Sequence, residues 1–510
     1  MEHHIYDVLV IGAGPCGLAV AARLCERTPS ALFTDDEHRR YHWIQRHSGR
    51  MSIMNRKNGM VAKARRPFKQ PYSVLVLDAE GDEWLSRWNR LFKLFEIKTL
   101  RSPMFFHVDP KDRDALLEFA HQEGRQAECD EITGCVGKER SGHQKKKERK
   151  RTGPREPTVE ERDRKDYFTP SRKLFADQCK RIVHNYCLDD GLVKQEIVED
   201  LDYTDCEDEH GERLFIVRTN KQIHRARIVV LAIGPGNPPR IPGLLPTERI
   251  QGACHAMQAR EFPDPVLKAK IEQRHTTNVL VVGGGLTSAQ ITDLALRCGV
   301  TKVWHVLRSQ LKVKPFDLNL EWLGKFRNFE QASFWSANSD EERLQHIQAA
   351  RNGGSITPKY HKILKSHMAR GKLSLVTNTT VKSRTWDPET KTWQVQTKPH
   401  IDLPPLDYIY YATGIQTDID ALPWLQTMQS KYPIQCRGGL PCINDDLMWN
   451  SHVPLFVSGR LGALKIGPGA ANLAGARSGA ERIAWSIADI LGEDEKDPSP
   501  EAESESEFDG

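Results

Sequence analysis

Twice in this chain an apolar run meets a glycine-spaced turn and then a helical pattern, and few folds accept that arrangement. The first copy is "VLVIGAGPCGLAVAARL", Val8 to Leu24, with glycines at 12, 14 and 17. Its β-branched run from Tyr6 to Ile11 predicts a strand covered on both faces, and Leu18 to Arg27 predicts a helix. At such a junction Gly12 permits the tight turn and Gly14 lets the backbone approach a pyrophosphate. Gly17 lets the helix pack closely, and the helix N-terminus faces the anion. A second strand is predicted at 31–34, ending in Asp35 and Asp36. Asp35 stands 18 residues beyond Gly17, near the ~20 at which an acid bonds a ribose hydroxyl.

The second copy is "TNVLVVGGGLTSAQITDLALRCG", Thr277 to Gly299, where Gly283, Gly285 and Ser288 take the three positions. Ser288 is small enough to keep the close packing. The next strand, "KVWHVLRS", ends in Arg308, where the first copy has Asp36. A carboxylate there repels a 2′-phosphate, whereas a guanidinium bonds it bidentately. Arg308, aided by Lys312, therefore points to NADPH. Two dinucleotide sites in one chain suggest one resident cofactor and one visiting hydride donor, and flavin with nicotinamide is the common pair. The expected fold class is α/β, a Rossmann-like FAD domain interrupted by a Rossmann-like NADPH domain.

The connecting pieces bring a family into view. "RARIVVLAIGPGNPPRIPG" and "LDYIYYATGIQTDID" each carry a predicted strand into a small-residue turn, Ala232-Ile233-Gly234 and Ala412-Thr413-Gly414. Such turns resemble the crossing points of two-dinucleotide-binding flavoproteins. Asp407 with "YIYYATGI" is similar to a signature of N-hydroxylating and flavin-containing monooxygenases, with Ile415 in place of that signature's tyrosine. The closing stretch "PLFVSGRLGALKIGPGAANLAGARSGAERIAWSIADIL" resembles the last FAD segment of the same superfamily. There the resemblance implies that Gly459, Gly467, Gly469 and Asn472 bind FAD and that the final helix dipole faces the flavin pyrimidine. Asn55, in "MSIMNRKNG", stands where flavin-containing monooxygenases carry an asparagine near the flavin. "IQGACHAMQAREF" matches the family linker only in part, and His255 is read as structural.

The resemblance implies domains at 1–245 (FAD, first part), 246–404 (NADPH) and 405–492 (FAD, second part). It also implies an NADPH-dependent FAD monooxygenase that forms a C4a-hydroperoxyflavin and oxygenates a small nucleophile, an amine nitrogen foremost. The partners are then a small-molecule substrate and O2. Two other outcomes stay open. One is a regulatory or redox-sensing flavoprotein, as in the oxidative-stress-induced growth inhibitor proteins, which the chain also resembles. The other is a disulfide reductase, for which the closest cysteine pairs are Cys129/Cys135 and Cys436/Cys442. Arg101, His107 and Arg172 are candidates to bind a substrate carboxylate. "DYFTPSRKLFADQC" predicts a helix with Thr169 or Ser171 near its N-cap and Pro170 in its first turn.

Two polar stretches interrupt this scheme. Residues 138–165 hold 12 basic and 6 acidic residues, and 493–510 hold 9 acidic residues and one lysine. Neither has apolar periodicity, so a flexible insertion (about 136–165) and an acidic tail (493–510) are expected. The net charge of the whole chain is +5 over 510 residues, which does not favour a nucleic-acid partner. The 11 cysteines lack CxxC pairs and metal-ligand spacing, predicting reduced thiols, no metal and a cytoplasmic location. No apolar run approaches the ~20 residues that span a bilayer, and the first residues carry no apolar signal region.

Overall fold

A computed structural model describes residues 4–26, 29, 32, 53–54, 61–62, 72–136, 161–189, 191–205, 213–234, 236–239, 241–243, 250–324 and 327–491. Apart from Leu32, the predicted strand at 31–34 lies outside them, as do Asp35, Asp36, Asn55, the lysine-rich centre of the insertion and the acidic tail.

The strands that build the site, in chain order, are β1 (Ile5–Ile11), β2 (Val74–Asp78), β3 (Val193–Gln195), β4 (Val198–Asp205), β5 (Arg213–Thr219) and β6 (Ile223–Leu231). They continue with β7 (Ala253–His255), β8 (Asn278–Val282), β9 (Lys302–Val306), β10 (Leu373–Val376), β11 (Tyr408–Tyr411), β12 (Met448–Asn450) and β13 (Val453–Val457). The helices that matter are α1 (Pro15–Cys25), α2 (Arg172–Asn185), α3 (Leu286–Arg297), α4 (Arg327–Trp335), α5 (Asp340–Arg351) and α6 (Leu473–Leu491).

The first sheet runs β12-β13-β6-β1-β2-β3, with β5 and β4 added antiparallel from β6. Its centre is parallel: Val8 lies between Ile228 and Val74. Val8, Leu9 and Val10 are wholly buried, as the unbroken apolar run requires of a strand covered on both faces. The described strand beside β1 on the side away from β6 is Val74–Asp78, a partner not singled out from the sequence. The second sheet, β7-β11-β8-β9-β10, is parallel throughout and is inserted between β6 and β12.

Helix α1 covers the first sheet and packs on α6, where Arg23 holds Glu481 through Nε to Oε2 at 2.7 Å and Nη2 to Oε1 at 2.9 Å. Helices α4 and α5 bury Phe334, Leu344 and Ile347 against Ala463, Leu464 and Ala470 of the closing segment. Phe316 and Leu323 share the core of the first sheet. Of the two expected N-caps of helix α2, Ser171 is the one used, accepting from Leu174 N at 2.9 Å. Pro170 therefore ends a short strand instead of opening the helix, because its lack of an N–H is equally tolerated at that edge.

Candidate functional site: two matched dinucleotide cradles

Each sheet builds the same cradle. In the first, Gly12 takes φ +111°, and a Cβ there would stand 2.5 Å from Ala232 O. In the second, Gly283 takes φ +151°, and a Cβ would stand 2.4 Å from Ala412 O. Only glycine accepts both the torsion and the approach. The two small-residue crossings are thus the walls against which the two glycine turns close. Asn237 and Asp418 join the crossings, with Asp418 N donating to Asn237 Oδ1 at 2.9 Å.

The third position packs helix on strand. A Cβ on Gly17 would lie 2.0 Å from Gly12 O. Ser288 meets the same constraint by turning its hydroxyl back to donate to Gly285 O at 2.7 Å while wholly buried. The middle position is different in kind. Nothing lies within 4 Å of a Cβ added to Gly14 or to Gly285. These two residues are the N-caps of α1 and α3, and neither helix start has a side-chain cap. Open space over unsatisfied helix N–H groups is what an anion such as a pyrophosphate requires.

Asp78, at the end of β2, accepts from Ala13 N at 2.8 Å through Oδ2 and from Glu80 N at 2.8 Å through Oδ1. It places a carboxylate beside the first glycine turn, at the end of the strand next to β1. The signal was in the sequence, an apolar run ending in an acid ("VLVLD"), but its distance from β1 hid the pairing. In the second cradle Arg308 lies two residues past β9, exposed and without a hydrogen bond to any described residue. Lys312 is committed elsewhere: its ammonium donates to Asn352 O at 2.6 Å and Asn352 Oδ1 at 2.7 Å, closing the C-cap of α5. Asp407 anchors the start of β8, accepting from Asn278 N at 2.7 Å and Lys270 Nζ at 2.6 Å.

The closing segment folds over the first cradle. Gly459 (φ +70°) leaves 2.8 Å between a would-be Cβ and Cys16 Sγ inside the first glycine turn. Gly467 takes φ +102°, Gly469 lies in the short turn before α6, and Asn472 Oδ1 accepts from Gly475 N at 3.2 Å. Arg460 reaches the second crossing, donating to Ile415 O at 3.2 Å.

Two candidate carboxylate binders are occupied instead by the fold. Arg101 donates to four backbone carbonyls and a hydroxyl. His107 is wholly buried, accepting from Asp109 N at 3.2 Å through Nδ1 and donating from Nε2 to Arg113 O at 2.7 Å. That tautomer leaves Nε2 no lone pair for Arg477, 3.2 Å away, so the contact is packing and not a hydrogen bond. Arg172 donates its backbone N–H to Lys98 O at 2.8 Å. His255 is structural, accepting from Met257 N at 3.2 Å and donating to Gly414 O at 3.2 Å.

One residue of the second cradle escaped the sequence reading. His305, inside the apolar β9, is wholly buried and donates from Nε2 to Gly283 O at 2.8 Å. Burial lowers its pKa to about 4, so the ring is neutral at physiological pH. An unfolded histidine titrates near ~6.5, so the folded ring takes up its proton only at lower pH. Its contribution to stability is complete above that value and is lost as pH falls through about 4. We expect the Tm of the protein to fall as pH drops across this window, and more shallowly in His305→Leu. At neutral pH that variant is expected to lose about 1–3 kcal/mol, because the Gly283 carbonyl is left without its partner. Thermal denaturation over a pH series checks both.

Among the described residues no group of three or more His, Cys, Asp or Glu could hold a metal, and no helix is long and apolar enough to cross a membrane. The fold and the paired cradles define a two-dinucleotide-binding α/β protein. Residues 164–417 match the L-lysine 6-monooxygenase/L-ornithine 5-monooxygenase family model. Among solved structures, an ornithine N-hydroxylase from Kutzneria sp. 744 superposes with TM-score 0.62 at 15% identity, over 96% of this chain and 100% of that one. An L-lysine 6-monooxygenase from Pseudomonas syringae gives 0.57 at 17%, over 95% and 100%. A bacillithiol disulfide reductase from Staphylococcus aureus gives 0.51 at 14%, over 96% and 99%. No curated protein sequence matches the chain. The family match covers just under half of the chain, and the likeness to these solved structures extends the two-dinucleotide-binding fold over nearly its whole length.

Proposed function

We propose that this protein is an FAD- and NADPH-dependent monooxygenase that hydroxylates the nitrogen of a primary amine on a small aliphatic substrate. The observation that carries the reading is the doubled cradle, two glycine turns with the same open middle position closed against two matching crossings. The family match at 164–417 supports the reaction class, and the ornithine and lysine hydroxylases that share the fold suggest the substrate.

In this reading FAD lies on the first cradle, held by the N–H groups at the start of α1 and enclosed by Gly459, Gly467, Gly469 and Asn472. Its ribose acid is drawn from Asp35, Asp36 or Asp78. NADPH lies on the second, over Gly283, Gly285 and Ser288, with Arg308 bonding the 2′-phosphate. Flavin held there would supply the hydride acceptor for NADPH and the means to activate O2. The reaction balances as amine, O2, NADPH and one proton giving hydroxylamine, NADP+ and water. The chain's part is to bind, orient and exclude water.

The described thiols support oxygenation over disulfide exchange. Cys129 turns to Met104 Sδ at 3.8 Å and Cys135 to Ile132 O at 3.0 Å. Cys436 turns to Asp420 Oδ1 at 3.4 Å. Burial pushes the Cys16 thiol up to about 11, so a thiolate beside the flavin is disfavoured. Anaerobic mixing with NADPH tests the reading: bleaching of bound flavin is expected, with hydroxylated ornithine or lysine formed once air is admitted. Bound flavin that NADPH cannot bleach would instead support the regulatory alternative.

A further inference from the structure

The Arg101 side chain has a geometry out of proportion to that of a surface loop residue. Nε donates to Pro315 O at 3.2 Å and Nη1 to Ser355 O at 3.2 Å. Nη2 reaches Phe316 O at 2.6 Å, Lys314 O at 2.9 Å and Ser355 Oγ at 2.9 Å, sharing its two hydrogens among three acceptors. One planar fork thus gathers two separate loops.

Both ends of this connection are fixed. On the side of the first sheet, the segment bearing Arg101 is stitched to the start of α2. Leu100 N donates to Pro170 O at 3.1 Å, Thr169 Oγ1 to Leu100 O at 2.8 Å, and Arg172 N to Lys98 O at 2.8 Å. On the far side, the two gathered loops are bridged to each other, with Lys314 N donating to Ile356 O at 2.9 Å and Ile356 N to Lys312 O at 2.9 Å. The second loop rests on the second cradle: a Cβ on Gly354 would lie 3.1 Å from Gly285 N and 3.2 Å from Gly284 C. A continuous chain of contacts therefore runs from the body of the first sheet, through one guanidinium, to the glycine turn of the second.

We propose that Arg101 is a positioning residue for hydride delivery, a strap that holds the 312–316 and 353–356 loops and, through Gly354, sets the Gly283–Gly285 turn at a fixed distance from the flavin side. The inference rests on the FAD and NADPH reading above. Hydride transfer requires reacting atoms ~3–3.5 Å apart, and a displacement of about 1 Å costs on the order of 100-fold in rate. A strap between two separately built sheets is a means to hold that separation. Arginine is required because a fork presents donors along several directions, whereas an ammonium donates from one point. The guanidinium keeps its charge at neutral pH, since burial lowers its pKa only to about 10.

The test compares Arg101→Ala and Arg101→Lys with the parent full-length protein in three measurements. Amide hydrogen exchange without NADPH is expected to quicken at least about 10-fold over 312–316 and 353–356 in Arg101→Ala, with β8 unchanged and Arg101→Lys intermediate. NADP+ affinity, measured by calorimetry, is expected to fall about 10-fold. Anaerobic flavin reduction by NADPH is expected to slow by about 10- to 100-fold, while FAD content and reduction by dithionite stay at parent values. Unchanged exchange and NADP+ affinity in Arg101→Ala would overturn the strap. If Arg101→Ala does not fold, Arg101→Lys and Ser355→Ala decide by the same exchange measurement, and parent-like protection in both overturns it. A parent protein that NADPH cannot reduce would sink the functional reading instead, and the exchange data would still judge the strap.

Discussion

Gly14→Val is expected to yield a folded protein that retains no FAD. Two glycines of one turn are selected for different reasons. At Gly14 an added Cβ meets nothing within 4 Å, so the chain alone has no steric reason to select glycine there. The residue caps α1 in an extended conformation, φ −77° and ψ −174°, which any residue adopts. What selects glycine is then a ligand lying against the backbone, and a branched side chain takes that ligand's place. At Gly17 the added Cβ would sit 2.0 Å from Gly12 O, a clash within the protein itself. Gly17→Val is therefore expected to lower Tm or prevent folding, whereas Gly14→Val keeps Tm near that of the apoprotein and loses flavin. Flavin absorbance per chain and thermal denaturation separate the two outcomes. Stoichiometric FAD in a folded Gly14→Val variant would remove the first cradle from the account.

Arg308→Ala is expected to raise the KM for NADPH by about 10- to 100-fold and leave that for NADH nearly unchanged. Hydrogen bonds to a charged phosphate contribute on the order of 1.5–3 kcal/mol, and each ~1.4 kcal/mol is tenfold in affinity. Arg308 is exposed just beyond β9, and the proposed function assigns it this contact. Lys312 was expected to share the task, but its ammonium holds the Asn352 C-cap. Lys312→Ala should accordingly affect NADPH and NADH alike, by loosening the end of α5. Initial-rate kinetics with both cofactors check the pair of variants, and an equal loss for the two cofactors in Arg308→Ala would mean a structural role.

Much of the site was legible from sequence because its constraints are local. A glycine turn, the strand before it and the helix after it are neighbours in the chain, and one backbone requirement selects all three. The crossings at Ala232 and Ala412 were legible for the same reason, although that each would form the wall of a glycine turn, 2.5 and 2.4 Å from a would-be Cβ, required the folded sheets. Sequence could not show which strand flanks β1, since parallel pairing links distant segments and leaves no periodic trace. Asp78 and the commitment of Arg101 to carbonyls at 314–316 and 355 were hidden by the same separation. Arginine near an expected pocket reads equally as a substrate binder or a tether, and only the positions of the acceptors distinguish them. His305 left a weaker trace: a lone polar residue within an apolar strand that must be buried on both faces has to find a partner, and the nearest turn carbonyl is that partner.

The central claim is that oxygen from O2 is placed on an amine nitrogen at the expense of NADPH. Its most direct test is mass spectrometry of the product formed from ornithine or lysine, with purified protein, NADPH and isotopically heavy dioxygen. The account predicts a hydroxylamine carrying one heavy oxygen atom per molecule, formed with NADPH, greatly diminished with NADH, and absent in Gly14→Val. NADPH consumed at full rate across a panel of small primary amines, with the heavy label found only in peroxide or water and in no amine product, would contradict it.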